Sequence, residues 1–149
     1  MPYQTIYSSE SATPMQLDDL EEILQHARRS NAAKGITGAL VYVDGVFLQI
    51  LEGNFDAVRE LMEKIVVDVR HETITVLKEG EISAAAFADW KMAYVGATAE
   101  QVALWAGLSG ATPVPDILAD IRNDPVKVTQ ITQSILSALG NESDTPTQD

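Results

Sequence analysis

Gln49 is the residue whose chemistry most needs an explanation. It lies within Val46–Leu51, where every other side chain is apolar. Such a run is typical of a strand buried on both faces. A buried amide without partners costs about 1–3 kcal/mol, so something must satisfy its donors and its acceptor. A hydrogen bond to backbone or to a buried water is the simpler explanation, and a bound ligand is the other.

Tyr7 and Asn31 are two further polar residues that could contact a ligand. Tyr7 falls in the first predicted strand, where a buried hydroxyl needs a partner; an ordinary core tyrosine bonded to backbone would explain it. Asn31 falls near the end of the first predicted helix, where it could be a C-cap or could bind a ligand edge. Ligands favour grooves between elements, such as a cleft between two helices on a sheet.

Other site chemistries find little support in the sequence. The absence of cysteine excludes disulfides, thiol nucleophiles and Cys-based metal sites. No GxGxxG, Walker A, GxSxG or HExxH motif occurs. His26 is predicted to be a solvated helix residue, and His71 has no second histidine nearby, so we expect no metal site. The GxxG spacing of Gly35–Gly38 matches a KH loop but lacks the positive surroundings that nucleic acid requires.

The charge of the chain narrows the classes of partner. It carries 22 acidic and 10 basic residues, a net charge of −12. This charge repels phosphate backbones and anionic lipid, so we expect neither nucleic acid nor a membrane as partner. No apolar run approaches the ~20 residues of a membrane span. The N-terminus lacks a signal-peptide pattern, so a cytoplasmic location is expected.

Hydrophobic periodicity predicts the elements that must position these residues. Strands are predicted at 4–8, 36–43, 46–51, 73–77 and 90–95, and helices from Thr13-Pro14 to about Asn31 and after an Asn54 cap. Asp44-Gly45 between two apolar runs predicts a β-hairpin. The order β-α-β-β-α-β-β predicts an α+β, ferredoxin-like sandwich. In it, two helices cover one face of a mixed five-stranded sheet.

The pattern of apolar residues changes after Gly96. Helical spacing recurs at 99–108, 114–123 and 126–139, which predicts additional C-terminal helices. We therefore expect one domain over residues 1–96 and a helical extension over 97–139 that is too sparsely apolar to fold alone. The polar residues 140–149 are expected to form a disordered tail.

Five short motifs, in their order and spacing, resemble the BLUF family of blue-light receptors. They are Ile6–Ser9, Ala27–Asn31 with GITGAL at 35–40, GVFLQILEG at 45–53, DVRH at 68–71 and FADWKM at 87–92. The combination of GxFLQxLEG with GITGxL before it and FxxWxM after it makes the resemblance specific to this family. The resemblance covers residues 3–95. It implies a flavin, usually FAD with FMN possible, held between the two helices.

The resemblance implies a role for each matched residue. Tyr7 matches the tyrosine that donates an electron and then a proton to the photoexcited flavin. Gln49 matches the glutamine that bridges this tyrosine to the flavin N5 and O4 edge. This glutamine then rotates or tautomerises, and the absorption shifts to the red. Asn31 matches the residue that binds the pyrimidine edge. Trp90 and Met92 match the pair on the last strand that reports the state of the glutamine.

Further flavin contacts are implied by matched positions. Lys64, Asp68 and His71 match positions near the ribityl chain and phosphate, and Arg28 lies in the matched segment before Asn31. Ser30 is also a predicted flavin contact, although many relatives carry His or Asn beside the flavin ring at this position. Its shorter side chain is expected to alter the absorption maximum or the recovery rate.

Two other functions remain possible from the residues themselves. An acylphosphatase-like hydrolase fits the order of elements, but residues 8–13 offer no Arg or Gly for a phosphate loop. A light-independent interaction module could use the acidic helices as its docking surface. The favoured hypothesis combines this last idea with the resemblance. It is a photoreceptor without enzymatic activity that signals through contacts, as a homodimer or higher oligomer, to an unknown protein partner.

Overall fold

Five strands and five helices make up the described part of the chain. The computed structural model describes residues 1–11, 15–67 and 71–141, and for residues 71, 72, 140 and 141 it describes the backbone only. The strands are β1 (Tyr3–Ser11), β2 (Thr37–Val43), β3 (Val46–Gly53), β4 (His71–Glu81) and β5 (Ala93–Gly96). The helices are α1 (Leu17–Lys34), α2 (Phe55–Val66), α3 (Ala99–Trp105), α4 (Val114–Ile121) and α5 (Pro125–Asn141).

The strands form one mixed sheet in the order β4-β1-β3-β2-β5. β1 pairs antiparallel with β3 and β4, β2 pairs antiparallel with β3, and β5 runs parallel to β2. The predicted ferredoxin-like α+β fold with a mixed five-stranded sheet is confirmed. β3 lies at the centre of the sheet, so both of its faces are buried, as its apolar run predicted.

The hairpin between β2 and β3 is confirmed. Val43 pairs with Val46, and Asp44 and Gly45 have φ angles of 49° and 81°. Positive φ at both central residues is the requirement of a type I′ turn, whose twist matches that of the flanking strands. This turn sets the register that carries Gln49 to the middle of the sheet.

The first helix extends past its predicted end near Asn31. Its first residue is Leu17, and the backbone N–H of Gln16 donates to the Asp19 carboxylate at 3.0 Å. The predicted start, at residues 13 and 14, lies outside the described residues. The helix continues to Lys34 because Gly35, at φ 70°, forms the left-handed C-cap. Asn31 is therefore not a C-cap but a residue of the last turns. Asn54 caps α2 as predicted, by accepting from the Asp56 N–H at 2.9 Å.

The two faces of the sheet pack against different layers. One face packs with α1 and α2 in a core that includes Tyr7, Leu40, Phe47 and Met92. The other face packs against the C-terminal helices in a second core, to which α4 and α5 contribute Ile117, Ile121, Val128, Ile131 and Ile135. The additional helices thus cover the face that α1 and α2 leave open. The division of the chain at residue 96 stays a prediction, and of the predicted tail only residues 140 and 141, which end α5, are described.

The last strand is shorter than predicted. It begins at Ala93, so Trp90 and Met92 lie in a bend before β5 rather than on the strand. The physical reason is that α1 side chains take up the carbonyls of this bend. Asn31 Nδ2 donates to Lys91 O at 2.8 Å, and Arg28 Nε donates to Met92 O at 3.0 Å. Of the described helices, none combines the length and the apolar character needed to cross a bilayer.

Gly38 gives a prediction for the stability of this fold. A Cβ at Gly38 would lie 1.9 Å from the Ile50 carbonyl oxygen, and no side-chain rotation relieves a clash with backbone. We expect Gly38→Ala to lower the free energy of unfolding by about 3 kcal/mol or more, measured by urea unfolding. Gly96→Ala is the control, because its Cβ would meet Tyr94 at an ordinary 3.7 Å. Equal unfolding midpoints for the two variants would contradict this close packing.

Candidate functional site

A cleft of 280 Å³ lies between α1 and α2 above the middle of the sheet. Its floor is formed by Leu40, Phe47 and Gln49 from β2 and β3. Its walls are formed by Ile23, His26, Ala27, Ser30 and Asn31 of α1 and by Leu61, Lys64 and Ile65 of α2. Apolar walls with a few convergent polar groups suit a largely apolar organic ligand with a polar edge.

Tyr7, Gln49 and Met92 form a continuous hydrogen-bonded chain beneath this cleft. Tyr7 and Gln49 are directly opposite each other on β1 and β3, so their side chains project from the same face. The Tyr7 hydroxyl donates to Gln49 Oε1, and Gln49 Nε2 donates to Met92 Sδ at 3.6 Å. All three residues are buried. The structure therefore brings together three residues that are distant in sequence and that the resemblance assigned to the light response.

The amides of Gln49 and Asn31 retain capacity to bind a ligand. Gln49 Nε2 has two hydrogens, and among the described residues its one partner is the Met92 thioether, a weak acceptor. Asn31 is buried, and its Nδ2 donates to Lys91 O. No described residue donates to Asn31 Oδ1. Two buried amides with donors and acceptors to spare fit the pyrimidine edge of a flavin, which carries both carbonyl acceptors and an N–H donor.

The bend from Trp90 to Met92 connects the cleft to the other face of the sheet. Met92 packs in the core beneath the cleft, and it is the member of the pair that contacts Gln49. Trp90 packs against the core of the C-terminal helices, where its ring meets that of Phe87 at 6.5 Å. Its buried Nε1 has no hydrogen-bond partner among the described residues. Trp90 and Met92 thus face different layers.

Of the other predicted ligand contacts, some line the cleft and others do not. Ser30 and Lys64 line the cleft. Arg28 does not belong to the lining, and its guanidinium contacts the Met92 carbonyl instead. The last two predicted contacts, Asp68 and the side chain of His71, lie outside the described part of the chain.

Lys64 lies close to a second cation, Lys34. The neighbouring Lys34 side chain lowers the pKa of Lys64, because an adjacent N–H donor and a like charge both disfavour a second ammonium group. The Lys34 ammonium lies 3.5 Å from Glu60 Oε1. Two ammonium groups and one carboxylate therefore leave a net positive charge at the ends of α1 and α2, next to the cleft that Lys64 lines.

Sequence reasoning missed two residues of this region. His26, predicted to be merely solvated, lines the cleft while remaining exposed. Its position one turn before Ser30 on α1 was the available signal. Glu52 is fully buried at the end of β3. It directly follows the apolar run Val46–Leu51, but an acidic residue at a strand end is commonly solvated, so no sequence signal indicated its burial.

Comparisons with known proteins show which family the chain resembles. The sequence matches the family described as BLUF, sensors of blue-light using FAD, over residues 3–93. The photoactivated adenylate cyclase subunit beta of Euglena longa is 36% identical over 116 residues, which are 77% of this chain and 13% of that protein. Its counterpart from Euglena gracilis is 34% identical with the same coverage. The chain thus spans a small part of the length of these curated relatives.

Solved structures extend the likeness beyond the matched segment. BlrB, a BLUF protein in its dark state, has a TM-score of 0.73 and 27% identity, covering 93% of this chain and 97% of that one. BlsA in its photo-activated state has a TM-score of 0.75 and 28% identity, covering 91% and 95%. Coverage this high includes helices after β5. The chain belongs to the BLUF family of blue-light sensors that use FAD.

Proposed function

We propose that this chain binds the ring system of a flavin in the cleft between α1 and α2 and responds to blue light through Tyr7, Gln49 and Met92. The hydrogen-bonded chain formed by these three residues is the observation that carries the proposal. The cleft volume of 280 Å³ lies just below the range of about 300–1,000 Å³ typical of ligand pockets, so it suits the ring system rather than a whole dinucleotide. Asn31, Gln49 and Ser30 would hold the ring.

The phosphate end of the cofactor would lie toward the lysines. Lys64, which lines the cleft, and its neighbour Lys34 supply the positive charge that a phosphate group requires. The roles of Asp68 and His71 rest on the resemblance alone. FAD is the expected cofactor, because the family is described by it, and FMN carries the same ring and one phosphate.

The light response follows from the chemistry of the three side chains. A bound flavin supplies, on excitation, an acceptor for one electron. Tyr7 can release an electron together with a proton, because its hydroxyl donates directly to Gln49 Oε1. The Gln49 amide would be the path by which the proton follows the electron from Tyr7 to the bound flavin. Gln49 would then have lost the donor to its carbonyl oxygen. The amide can then turn at low cost, because its other bond is to a weak thioether acceptor.

The turned amide has a direct consequence for Met92. Rotation by half a turn places Oε1 where Nε2 stood, and a thioether has no hydrogen to donate to it. The contact between Gln49 and Met92 is therefore lost, and Met92 must move. Burial strengthens the effect of each exchanged hydrogen bond, because the local dielectric constant is low.

The light signal would be transmitted through contacts with another protein. Trp90, two residues from Met92, packs against the core of α3–α5, so a shift of the bend reaches these helices. The helices cover one face of the sheet, so they, rather than the sheet face itself, would bind a partner protein or a second copy. The curated relatives are named for a cyclase activity, but the chain matches only 13% of their length. The family model that matches this chain is that of a sensor, so we propose that the chain acts as a sensor rather than as a catalyst. We further propose that it works in the cytoplasm as a homodimer or higher oligomer.

Flavin content tests this proposal. Protein purified from a flavin-replete host should be yellow and carry close to one flavin per chain, measured by absorbance after release of the cofactor. A colourless preparation that also rejects added FAD and FMN would contradict the proposal. The light-independent interaction module would then be the better account of the chain.

The lysines give a prediction about cofactor choice. We expect Lys64→Ala to weaken FAD and FMN binding about threefold to fivefold, the size of an exposed charge pair, and to leave riboflavin binding unchanged. Riboflavin has the same ring but no phosphate. Fluorescence titration of the flavin-free protein measures all three affinities. Lys127→Ala, which removes a charge beside Asp120 on the far side of the sheet, is the control. An equal loss for all three flavins would show that Lys64 does not act on the phosphate.

A further inference from the structure

Glu52 is a fully buried carboxylate that the light response described above does not use. It lies three residues after Gln49 on β3, so the two side chains project from opposite faces of the sheet. Its side chain is 0% exposed, and among the described residues it has no ion-pair partner. A buried charge is costly unless hydrogen bonds compensate it, so its contacts need to be accounted for.

Three N–H donors from the described residues surround this carboxylate. Gln4 Nε2 donates to Oε2 at 2.9 Å, and the backbone N–H groups of Ala86 and Phe87 donate to Oε2 at 3.1 Å and to Oε1 at 2.8 Å. All three partners are donors, so the site suits a group that only accepts hydrogen bonds. A glutamine amide here would turn an NH₂ group toward another N–H.

The two backbone donors belong to the connection between β4 and β5. This connection passes the ends of three strands. The Ile82 N–H donates to Pro2 O at 2.9 Å before β1, Glu52 binds the connection at the end of β3, and the Gly38 N–H of β2 donates to Trp90 O at 3.0 Å. The middle attachment is the one made by a side chain with a charge.

A short segment links this attachment to Gln49. The Trp90 N–H donates to Phe87 O at 3.0 Å, which closes a turn directly after the attachment. Two residues later, Met92 accepts the Gln49 amide. Phe87 packs in the core next to α3–α5, whereas Met92 packs in the core beneath the cleft. The segment therefore crosses from one face of the sheet to the other, with Glu52 at one end and Gln49 at the other.

We propose that Glu52 is a positioning residue for the light response. By holding Ala86 and Phe87, it fixes the start of the segment and so sets the place of Met92 Sδ against the Gln49 amide. The inference rests on the proposed function, because it concerns the same switch. Loss of the attachment would let Met92 withdraw and would weaken the contact that returns Gln49 to its dark arrangement.

The recovery of the dark spectrum after blue light tests this role. We expect the flavin-loaded Glu52→Gln variant to keep its cofactor. Its dark spectrum should recover about fivefold more slowly, which is the effect of losing one weak hydrogen bond that favours the dark arrangement of Gln49. Glu79→Gln is the matched control. It makes the same change on β4, at an exposed carboxylate whose partner among the described residues is the Tyr3 hydroxyl. Glu52→Asp, which keeps the charge, should show a smaller slowing and substitutes if Glu52→Gln does not fold.

A double-mutant comparison separates positioning from a general loss of stability. If Glu52 acts through Met92, Glu52→Gln should add no further slowing in a Met92→Ala background. Full slowing in that background, or recovery within about twofold of the parent in Glu52→Gln alone, would overturn the inference. If the parent protein binds flavin and shifts under light but Glu52→Gln recovers as the parent does, this inference alone is overturned. A parent without any light response would overturn the proposed function as well.

Discussion

Gln49→Leu should abolish the light-induced red shift while the flavin stays bound. Leucine has a similar length but neither donor nor acceptor, so it cannot accept from Tyr7 or exchange hydrogen bonds with the cofactor. We expect the light-minus-dark amplitude to fall to less than about a tenth of the parent value, since no neighbouring group can replace a buried amide. The measurement is the visible absorption spectrum before and after blue light, at matched flavin content.

A glutamine outside the cleft provides the control for this variant. Gln130→Leu makes the same chemical change at an exposed position of α5 and should keep the full shift. A Gln49→Leu protein that binds flavin and still shifts to the red by the parent amount would show that the Tyr7–Gln49–Met92 chain is not the switch.

Tyr7→Phe should give the second large effect, loss of photoconversion. Phenylalanine keeps the ring in the core but has no hydroxyl proton to release toward Gln49 Oε1. We expect the yield of the red-shifted state to fall at least about tenfold, because the proton transfer that starts the rearrangement is absent. In the flavin-free protein the unpartnered amide oxygen should also lower the free energy of unfolding by about 1–3 kcal/mol. Illumination at constant intensity measures the first effect and urea unfolding the second.

Tyr42→Phe is the matched tyrosine variant. Tyr42 packs against Phe47 on the same face of the sheet, but within the described part of the chain its hydroxyl accepts from the Met15 N–H, at 3.4 Å, and not from Gln49. Its removal should leave the photoconversion yield unchanged. Equal yields in Tyr7→Phe and the parent would exclude Tyr7 as the donor of the proton.

The features that could be predicted from the sequence depend on local chemistry. The hairpin followed from Asp44-Gly45, because few residues tolerate two successive positive φ angles. The burial of Gln49 followed from an apolar run on both faces of its strand. The places of the hairpin and of Gln49 in the sheet then followed from the order of the elements. The cleft between α1 and α2 is a consequence of that same order.

The features that could not be predicted depend on contacts between distant segments. Residues 90–95 alternate as a strand does, but side chains of α1 bind the carbonyls of Lys91 and Met92, so β5 begins only at Ala93. Glu52 stands at a strand end, where an acidic residue is commonly solvated. Its partners Ala86 and Phe87 lie 34 and 35 residues further along the chain. No periodicity in sequence carries that information.

The light-minus-dark absorption spectrum of the purified holoprotein tests the central claim most directly. The account predicts a flavin band that shifts to the red under blue light, returns in darkness over repeated cycles and does so without loss of cofactor. A bound flavin whose band never shifts would contradict the claim that Gln49 rearranges in response to light, even though the cleft holds its ligand.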